Sequence, residues 1–143
     1  IMDLEQLQNE TDKDLNINDI ELDLESLKTP QLHNKYLKYL TKFKLLLTRA
    51  EDEYRIVKRV KWEYYTGKAD QQVYVDRPFN FKLLKVDVPQ YIDSDPEVQK
   101  LNQKVKYLET VVDFLDRTLR QITNRTFTIK NAIDWKRFTS GAV

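Results

Sequence analysis

Two long stretches of this sequence repeat apolar residues at alternating spacings of four and three, and this pattern limits the possible folds more than any other feature. The first stretch consists of Tyr36, Leu40, Phe43, Leu47, Ala50, Tyr54, Val57, Lys61 and Tyr64. The second consists of Val98, Leu101, Val105, Leu108, Val112, Leu115, Leu119 and Ile122. Such spacing places one side of an α-helix against a partner helix. The sequence therefore predicts two long helices that pack through these seams, within the chain or between subunits.

The N-terminal half carries helix start and stop signals. A short helix is predicted from Asp3 to Asp14, and the polar break at Asn16–Asp19 separates it from a second short helix. Thr29 suits an N-cap and Pro30 the first helical position, so the first long helix is predicted to start there. No glycine or further proline follows until Gly67, which is the expected stop.

The C-terminal half begins with a different pattern. Alternation of apolar and polar residues at 73–75 and 84–88 predicts an extended arm or a short hairpin. The Asp95–Pro96 pair then supplies an N-cap and a first helical residue for the second long helix. That helix is predicted to close at residues 124–126, and a last short helix is predicted from Thr128 to Phe138.

These elements define a fold class. Two glycines and four prolines in 143 residues leave little turn material for an all-β fold. The predicted fold is all-α, with two long heptad-patterned helices, short terminal helices and an extended middle arm. We expect residues 1–95 to form a region with an acidic start and a basic long helix, and residues 96–143 to form a helical oligomerisation region. The second seam, from Val98 to Ile122, is an even face of valine and leucine and supplies the predicted oligomerisation contacts.

No catalytic residue, metal site or cofactor is predicted. The chain has no cysteine, so thiolate chemistry and disulfides are excluded. The single histidine, His33, is more typical of a packed or capping residue than of a catalytic base. The phosphate-binding loop of nucleotide hydrolases is absent from the sequence. No apolar run approaches the roughly 18–20 residues of a membrane span, so neither an enzyme nor a membrane protein is expected.

Charge is strongly segregated along the chain, although the net charge is only +1. Residues 1–27 contain nine acids and one base, whereas residues 28–68 contain eleven bases and four acids. The basic block suits nucleic acid. The acidic start has several open interpretations: it could meet a basic partner, a neighbouring subunit, or its own chain as a competitor for the basic helix, or it could be a solvated, poorly ordered end.

Cations and aromatic side chains alternate through residues 55–68. Cations follow a phosphate backbone and flat aromatic side chains stack on unpaired bases, so this stretch suits single-stranded nucleic acid. The candidate binding residues are Lys58, Arg59, Lys61, Trp62, Tyr65 and Lys68. Two alternatives stay open. The stretch could be a solvated lysine-rich face whose aromatic residues belong to the core, or the basic helix of a non-enzymatic coiled-coil adaptor that docks on an acidic protein.

Three segments of the chain resemble the UvsY family of phage recombination mediators. Arg59–Gly67 is similar to the family's segment of a basic pair followed by Asp/Glu-Tyr-Tyr-Ser/Thr-Gly. Val112–Phe114 resembles its Leu-Asp-Phe step, and Arg125–Lys130 its Arg-x-Phe-x-Ile-Lys segment. The resemblance covers most of residues 28–139. The two charges of the basic pair are exchanged relative to the family order, and Trp62 stands where the family has leucine.

The resemblance implies a function. UvsY-like proteins bind single-stranded DNA and load a UvsX-like phage recombinase onto strands coated by the phage single-strand-binding protein. They serve homologous recombination, recombination-dependent replication and repair, without nucleotide-dependent catalysis. They are hexameric or heptameric rings held by their C-terminal helices. By this resemblance, Arg59 and Lys61 bind DNA, the chain is phage-encoded, and it acts in the host cell cytoplasm.

Overall fold

The computed structural model describes residues 2–141, and this part of the chain is helical without any strand. The helices are α1 (Leu4–Asp14), α2 (Leu22–Tyr65), α3 (Gln71–Asp76), α4 (Val88–Asp93) and α5 (Pro96–Ser140), with one 3-10 turn at Lys85–Asp87. This architecture confirms the all-α prediction and its two long helices.

The predicted first helix is present and is fixed by a capping box. The Asp3 carboxylate accepts a hydrogen bond from the Gln6 backbone N–H at 2.8 Å. The Gln6 side-chain oxygen accepts one from the Asp3 N–H at 2.9 Å. Both interactions satisfy donors that a helix start leaves without partners, so α1 begins where the sequence predicted.

The acidic start packs against its own chain. Lys35 on α2 forms ion pairs with Glu10 at 2.5 Å and with Asp14 at 2.6 Å. The Tyr36 hydroxyl donates to Asp14 and the Tyr39 hydroxyl donates to Glu10. Burial acts to lower the pKa of Lys35, but the two carboxylates outweigh it and raise that pKa above its ordinary value. Glu10 and Asp14 therefore have partners within their own chain, while a competition of the acidic start for the basic helix stays a prediction.

The prediction that the first long helix starts at Thr29 and Pro30 is wrong, because α2 is continuous from Leu22 through Pro30. A proline inside a helix removes one backbone hydrogen bond and weakens the turn that precedes it. Arg125 of α5 holds the turn that precedes Pro30. Its guanidinium donates to the Glu25 backbone carbonyl and to the Thr29 hydroxyl, and it also pairs with the Glu25 carboxylate.

The prediction of a separate last helix is also wrong, because α5 continues through residues 124–126 to Ser140. Ile122, Arg125 and Ile129 are all buried and lie on one side of the helix by their spacing. The polar residues at 124–126 therefore include one that faces the interior. Because Arg125 finds partners there, the polar run does not end the helix.

Gly67 ends α2 as predicted. The glycine adopts φ of 77°, a left-handed conformation that is costly for other residues. The Gly67 N–H donates to the Tyr64 carbonyl at 3.3 Å, and the Lys68 N–H donates to the Glu63 carbonyl at 2.8 Å. These two hydrogen bonds form a Schellman motif, which turns the chain sharply after Tyr65.

The segment between the long helices is only partly extended. Residues 73–75 lie inside α3, and residues 85–88 form the 3-10 turn and the start of α4, so neither predicted alternation reflects a strand. Residues 78–84 have no regular secondary structure and form the extended arm, and α4 follows the short 3-10 turn. The Tyr74 hydroxyl donates to the Tyr64 carbonyl at 2.8 Å, which fastens α3 to the end of α2. A three-residue alternation was too short to distinguish these states.

The chain forms two compact units. The first contains residues up to Phe43 together with those from Thr110 onward, and the second contains Lys44–Glu109. Both heptad seams are buried or half-buried within these units. The packing predicted for the seams is therefore present inside one chain. The functional division at residue 95 stays a prediction.

Candidate nucleic-acid interface

The predicted binding residues lie in the second unit, on the last turns of α2 and in the turn that follows. The structure separates them by exposure. Arg59, Trp62 and Lys68 are exposed, Lys58 and Tyr65 are half-buried, and Lys61 is buried. The site is therefore built in two layers, an outer one that solvent reaches and an inner one that packs against α5.

The outer layer contains cations without strong acidic partners. The Arg59 Nε lies 4.0 Å from a Glu63 carboxylate oxygen, and both side chains are largely exposed, so this pair is weak. The Lys58 Nζ lies 5.2 Å from the centre of the Tyr54 ring. The Lys68 Nζ lies 4.4 Å from the centre of the Trp62 indole. These lysines rest on aromatic faces while their charge stays available to an anion.

Lys61 does not have the exposed position that its prediction as a DNA contact assumed. Its side chain is 10% exposed, and its Nζ lies 3.3 Å from Asp95 and 3.5 Å from Glu97. The heptad count places this lysine on the apolar seam, where a charge needs a partner to offset its desolvation. The two acids at the start of α5 supply that partner, so the ammonium points inward.

Tyr65 belongs to the same inner layer. Its hydroxyl donates to an Asp95 carboxylate oxygen at 2.7 Å. Burial and this hydrogen bond raise the pKa of Tyr65, so the phenol stays protonated. The other Asp95 oxygen accepts from the Glu97 N–H at 2.9 Å, which confirms Asp95 as the N-cap of α5. Burial acts to raise the pKa of Asp95, but these hydrogen bonds and the Lys61 charge outweigh it and lower that pKa.

Arg77 fastens the beginning of the extended arm to this layer. Its guanidinium pairs with Glu97 at 2.5 Å, and its backbone carbonyl accepts from the Tyr64 hydroxyl at 2.9 Å. The hydrogen bond from Arg77, aided by the Lys61 charge, lowers the pKa of Glu97. The start of α5, the end of α2 and the start of the arm are thereby joined by one polar network.

A cavity of about 720 Å³ lies beside this network. Its aromatic lining is formed by Trp62, Tyr64, Tyr65, Tyr74, Phe79 and Phe81, and its lysines are Lys68, Lys82 and Lys85. Tyr64 and Tyr74 stack with ring centres 5.4 Å apart, while Tyr65 and Phe79 meet edge to face at 5.2 Å. Sequence reasoning missed the arm residues. The Phe-x-Phe-Lys run at 79–82 was the available signal, because it repeats the cation-and-aromatic pattern of α2.

The predicted oligomerisation residues are already packed within the chain. Six of the eight are buried, and Leu101 and Val112 are half-buried. Tyr107 is an exposed aromatic side chain within the range of the seam, and three more, Phe127, Trp135 and Phe138, lie beyond it on α5. Trp135 and Phe138 stack on each other with ring centres 5.8 Å apart. Oligomerisation through the seam stays a prediction.

Clusters of metal ligands and membrane-spanning helices are both absent from the residues that the structure describes. Residues 2–141 bring together no group of histidine, aspartate or glutamate side chains arranged to hold a metal ion. None of the helices in this range combines the length and apolar character that crossing a membrane requires.

Comparison with known proteins gives a consistent answer. The family model described as "Recombination, repair and ssDNA binding protein UvsY" matches residues 10–142. The recombination protein uvsY of Enterobacteria phage T4 is 28% identical over 141 residues, covering 98% of this chain and 99% of that protein. One crystal structure of the bacteriophage T4 recombination mediator protein UvsY matches with a TM-score of 0.87 at 26% identity, covering 98% of this chain and 99% of that one. A second matches with a TM-score of 0.83 at 25% identity, covering 96% and 99%.

Proposed function

This chain belongs to the UvsY family of recombination, repair and single-stranded-DNA-binding proteins and is a recombination mediator, and from that premise we propose that it holds the DNA strand on the exposed end of α2. The observation that supports this site is the outer layer itself. Lys58, Arg59 and Lys68 present charge without strong acidic partners, beside the half-exposed indole of Trp62. Cations that follow phosphates and an aromatic face that stacks on bases are the two parts of a single-strand site.

Lys61 and Tyr65 have a different part in this proposal. Because both are bonded to Asp95, they fix the end of α2 against the start of α5 instead of contacting the strand. We therefore assign them as positioning residues. Their loss would disturb binding by displacing Trp62 and the cations on the outer layer.

A single site of this kind binds weakly, because three or four phosphate contacts give modest affinity that falls with salt. We propose that the chain forms a homo-oligomeric ring, hexameric or heptameric, in which repeated sites gain avidity along one strand. The exposed aromatic side chains at the end of α5 are suited to that contact, because the heptad seam is already packed within the chain. Replacing Phe138 with glutamate should then dissociate the oligomer in sedimentation experiments.

The proposed role of the ring is to present the strand to a recombinase. A strand that wraps on several subunits is bent and held away from a single-strand-binding protein that coated it. We propose that this weakens the coating protein's hold and lets a UvsX-like phage recombinase load, in the cytoplasm of the infected host cell. Addition of the protein should then shorten the lag before recombinase filaments form on coated strands.

Fluorescence anisotropy of a labelled single-stranded oligonucleotide, across a salt series, tests the site. The double variant Lys58→Glu/Arg59→Glu should lose binding while its oligomeric state in sedimentation is unchanged. Lys44→Glu is the matched control, since this exposed lysine is on the same helix, roughly 21 Å from Lys58 at 1.5 Å per residue.

The same assay separates the mediator from an adaptor that docks on acidic proteins. A matching duplex and inorganic polyphosphate, which has charge but no bases, serve as competitors. Stacking on Trp62 predicts that single strands displace the probe far better than either competitor. Equal competition by polyphosphate would contradict the proposed site and favour a simple charge patch.

A further inference from the structure

The aromatic cavity next to α2 has the size and lining of a ligand site. Its volume of about 720 Å³ falls within the roughly 300–1,000 Å³ that small-molecule sites occupy. Part of the lining is accessible to a large ligand, since Phe81 is 71% exposed. An aromatic side chain held in an extended arm and left this exposed contributes little to folding. Its position at a cavity mouth indicates a role in contact with something else.

The cavity is continuous with the basic surface of α2. A smaller hollow of about 310 Å³ shares Trp62, Lys85 and Val88 with it and is also lined by Lys58. Trp62 therefore forms a wall between the two hollows, and Lys85 lies at the same junction. A strand bound along Lys58 passes this junction before it reaches the cavity.

We propose that the cavity receives an unpaired base of the bound strand, with Lys82 of the arm and Lys85 of the 3-10 turn neutralising the phosphates on either side of it. This inference rests on the proposed function, because it extends the strand site from α2 onto the arm. Charge complementarity supports an anionic ligand, since Lys68, Lys82 and Lys85 all line the cavity. The flat aromatic faces of the lining select a nucleobase over an acidic peptide, because a carboxylate-bearing chain offers them nothing to stack on. A duplex is excluded because its bases are paired and stacked.

Comparing two oligonucleotides of equal length and charge tests this proposal directly. One is oligothymidylate, and the other carries abasic sites in place of its bases. Wild-type protein should bind the thymidylate strand roughly tenfold tighter or more, because stacking contributes at every occupied site. In a Trp135→Phe background, which leaves Trp62 as the one tryptophan, the thymidylate strand should quench fluorescence and the abasic strand should not.

Variants of the arm and its neighbouring turn test which side chains cause the preference for the thymidylate strand. Phe81→Ala should remove most of the preference for thymidylate over the abasic strand, and Phe81→Tyr, which keeps an aromatic ring, should retain it. Val86→Ala is the matched control, because Val86 lies in the same segment, is 81% exposed and does not line the cavity. Lys82→Gln/Lys85→Gln should lower the slope of log affinity against log salt by about 1.4, the loss expected for two single-strand phosphate contacts.

The outcomes separate this inference from the proposed function. A preference for thymidylate that survives Phe81→Ala would overturn the base cavity while leaving the strand site on α2, with its stacking on Trp62, intact. Salt-sensitive binding that is equal for the two strands would overturn both the cavity and the stacking on Trp62 and leave a simple charge patch. An acidic peptide that binds at Phe81 without displacing the strand would also overturn the base cavity. Failure of the wild-type protein to bind either strand would refute the proposed function itself.

Discussion

Replacing Lys61 with methionine would separate a residue that contacts DNA from one that positions the contacts. Methionine keeps the length and apolar stem of lysine but removes the charge that faces Asp95 and Glu97. Removing one member of a buried ion pair costs about 3–5 kcal/mol when the other is left alone. Here Asp95 keeps hydrogen bonds from Tyr65 and from the Glu97 N–H, and Glu97 is half exposed. We therefore expect a smaller loss, about 2–3 kcal/mol in the free energy of unfolding.

The assay for this prediction combines urea unfolding with strand binding across a salt series. Lys61→Met should weaken binding, yet the slope of log affinity against log salt should stay at its wild-type value. Arg59→Ala is the comparison, and its slope should fall by about 0.7, because a true phosphate contact is lost. The double variant Lys61→Met/Asp95→Asn should recover part of the stability and of the affinity, since no buried carboxylate then lacks a counter-charge.

A slope that falls by about 0.7 in Lys61→Met would refute this reasoning. So would a double variant that binds as weakly as Lys61→Met alone. Either result would mean that the ammonium leaves its acidic partners and reaches a phosphate when the strand binds.

Three further predictions concern stability. Arg125→Met should cost about 3–5 kcal/mol in the free energy of unfolding by urea, because it leaves the Glu25 carboxylate buried without its closest counter-charge. The double variant Arg125→Met/Glu25→Gln should lose less stability, and an equal loss in the two variants would contradict this reasoning. Gly67→Ala should cost about 1 kcal/mol in the same assay, from its positive φ alone, because nothing lies within 4 Å of an added Cβ. The lowered pKa values of Asp95 and Glu97 mean that the unfolded chain takes up protons first, near pH 4, as the pH falls. The free energy of unfolding should therefore hold above about pH 5 and decline below it, and Asp95→Asn should flatten that decline.

The sequence predicted the helices where local signals decide their limits. The first helix, fixed by the capping box at Asp3, and the helix stop at Gly67 depend on neighbours within a few residues, and both of these helix limits were predicted. The helix start predicted at Thr29 and Pro30 was wrong for the opposite reason. The turn before Pro30 is held by Arg125, about a hundred positions away, and no local pattern encodes such a contact.

The site shows the same division between local and distant causes. Residue type and spacing pointed to the basic and aromatic end of α2, the site proposed here for the strand, because single strands bind to such side chains. They were not enough to tell which cations face outward. The outward or inward direction of Lys61 depends on Asp95 and Glu97, which belong to another helix. Lys82 was missed because residues 78–84 have no periodicity from which a shared face could be predicted, and Lys85 because the alternation at 84–88 predicted only an extended segment.

The position of Lys61 on the apolar seam finally explains why the end of α2 suits a binding site. The seam pattern continues through Lys61 to Tyr64, and Lys61 pairs there with the acids at the start of α5. The same Asp95 caps α5 and holds Tyr65. One buried charge thus joins the end of α2 to the start of α5, while the neighbouring cations, Lys58 and Arg59, stay outside the seam. The lysine that costs the helix pair apolar packing therefore anchors the inner layer that carries the exposed cations and Trp62.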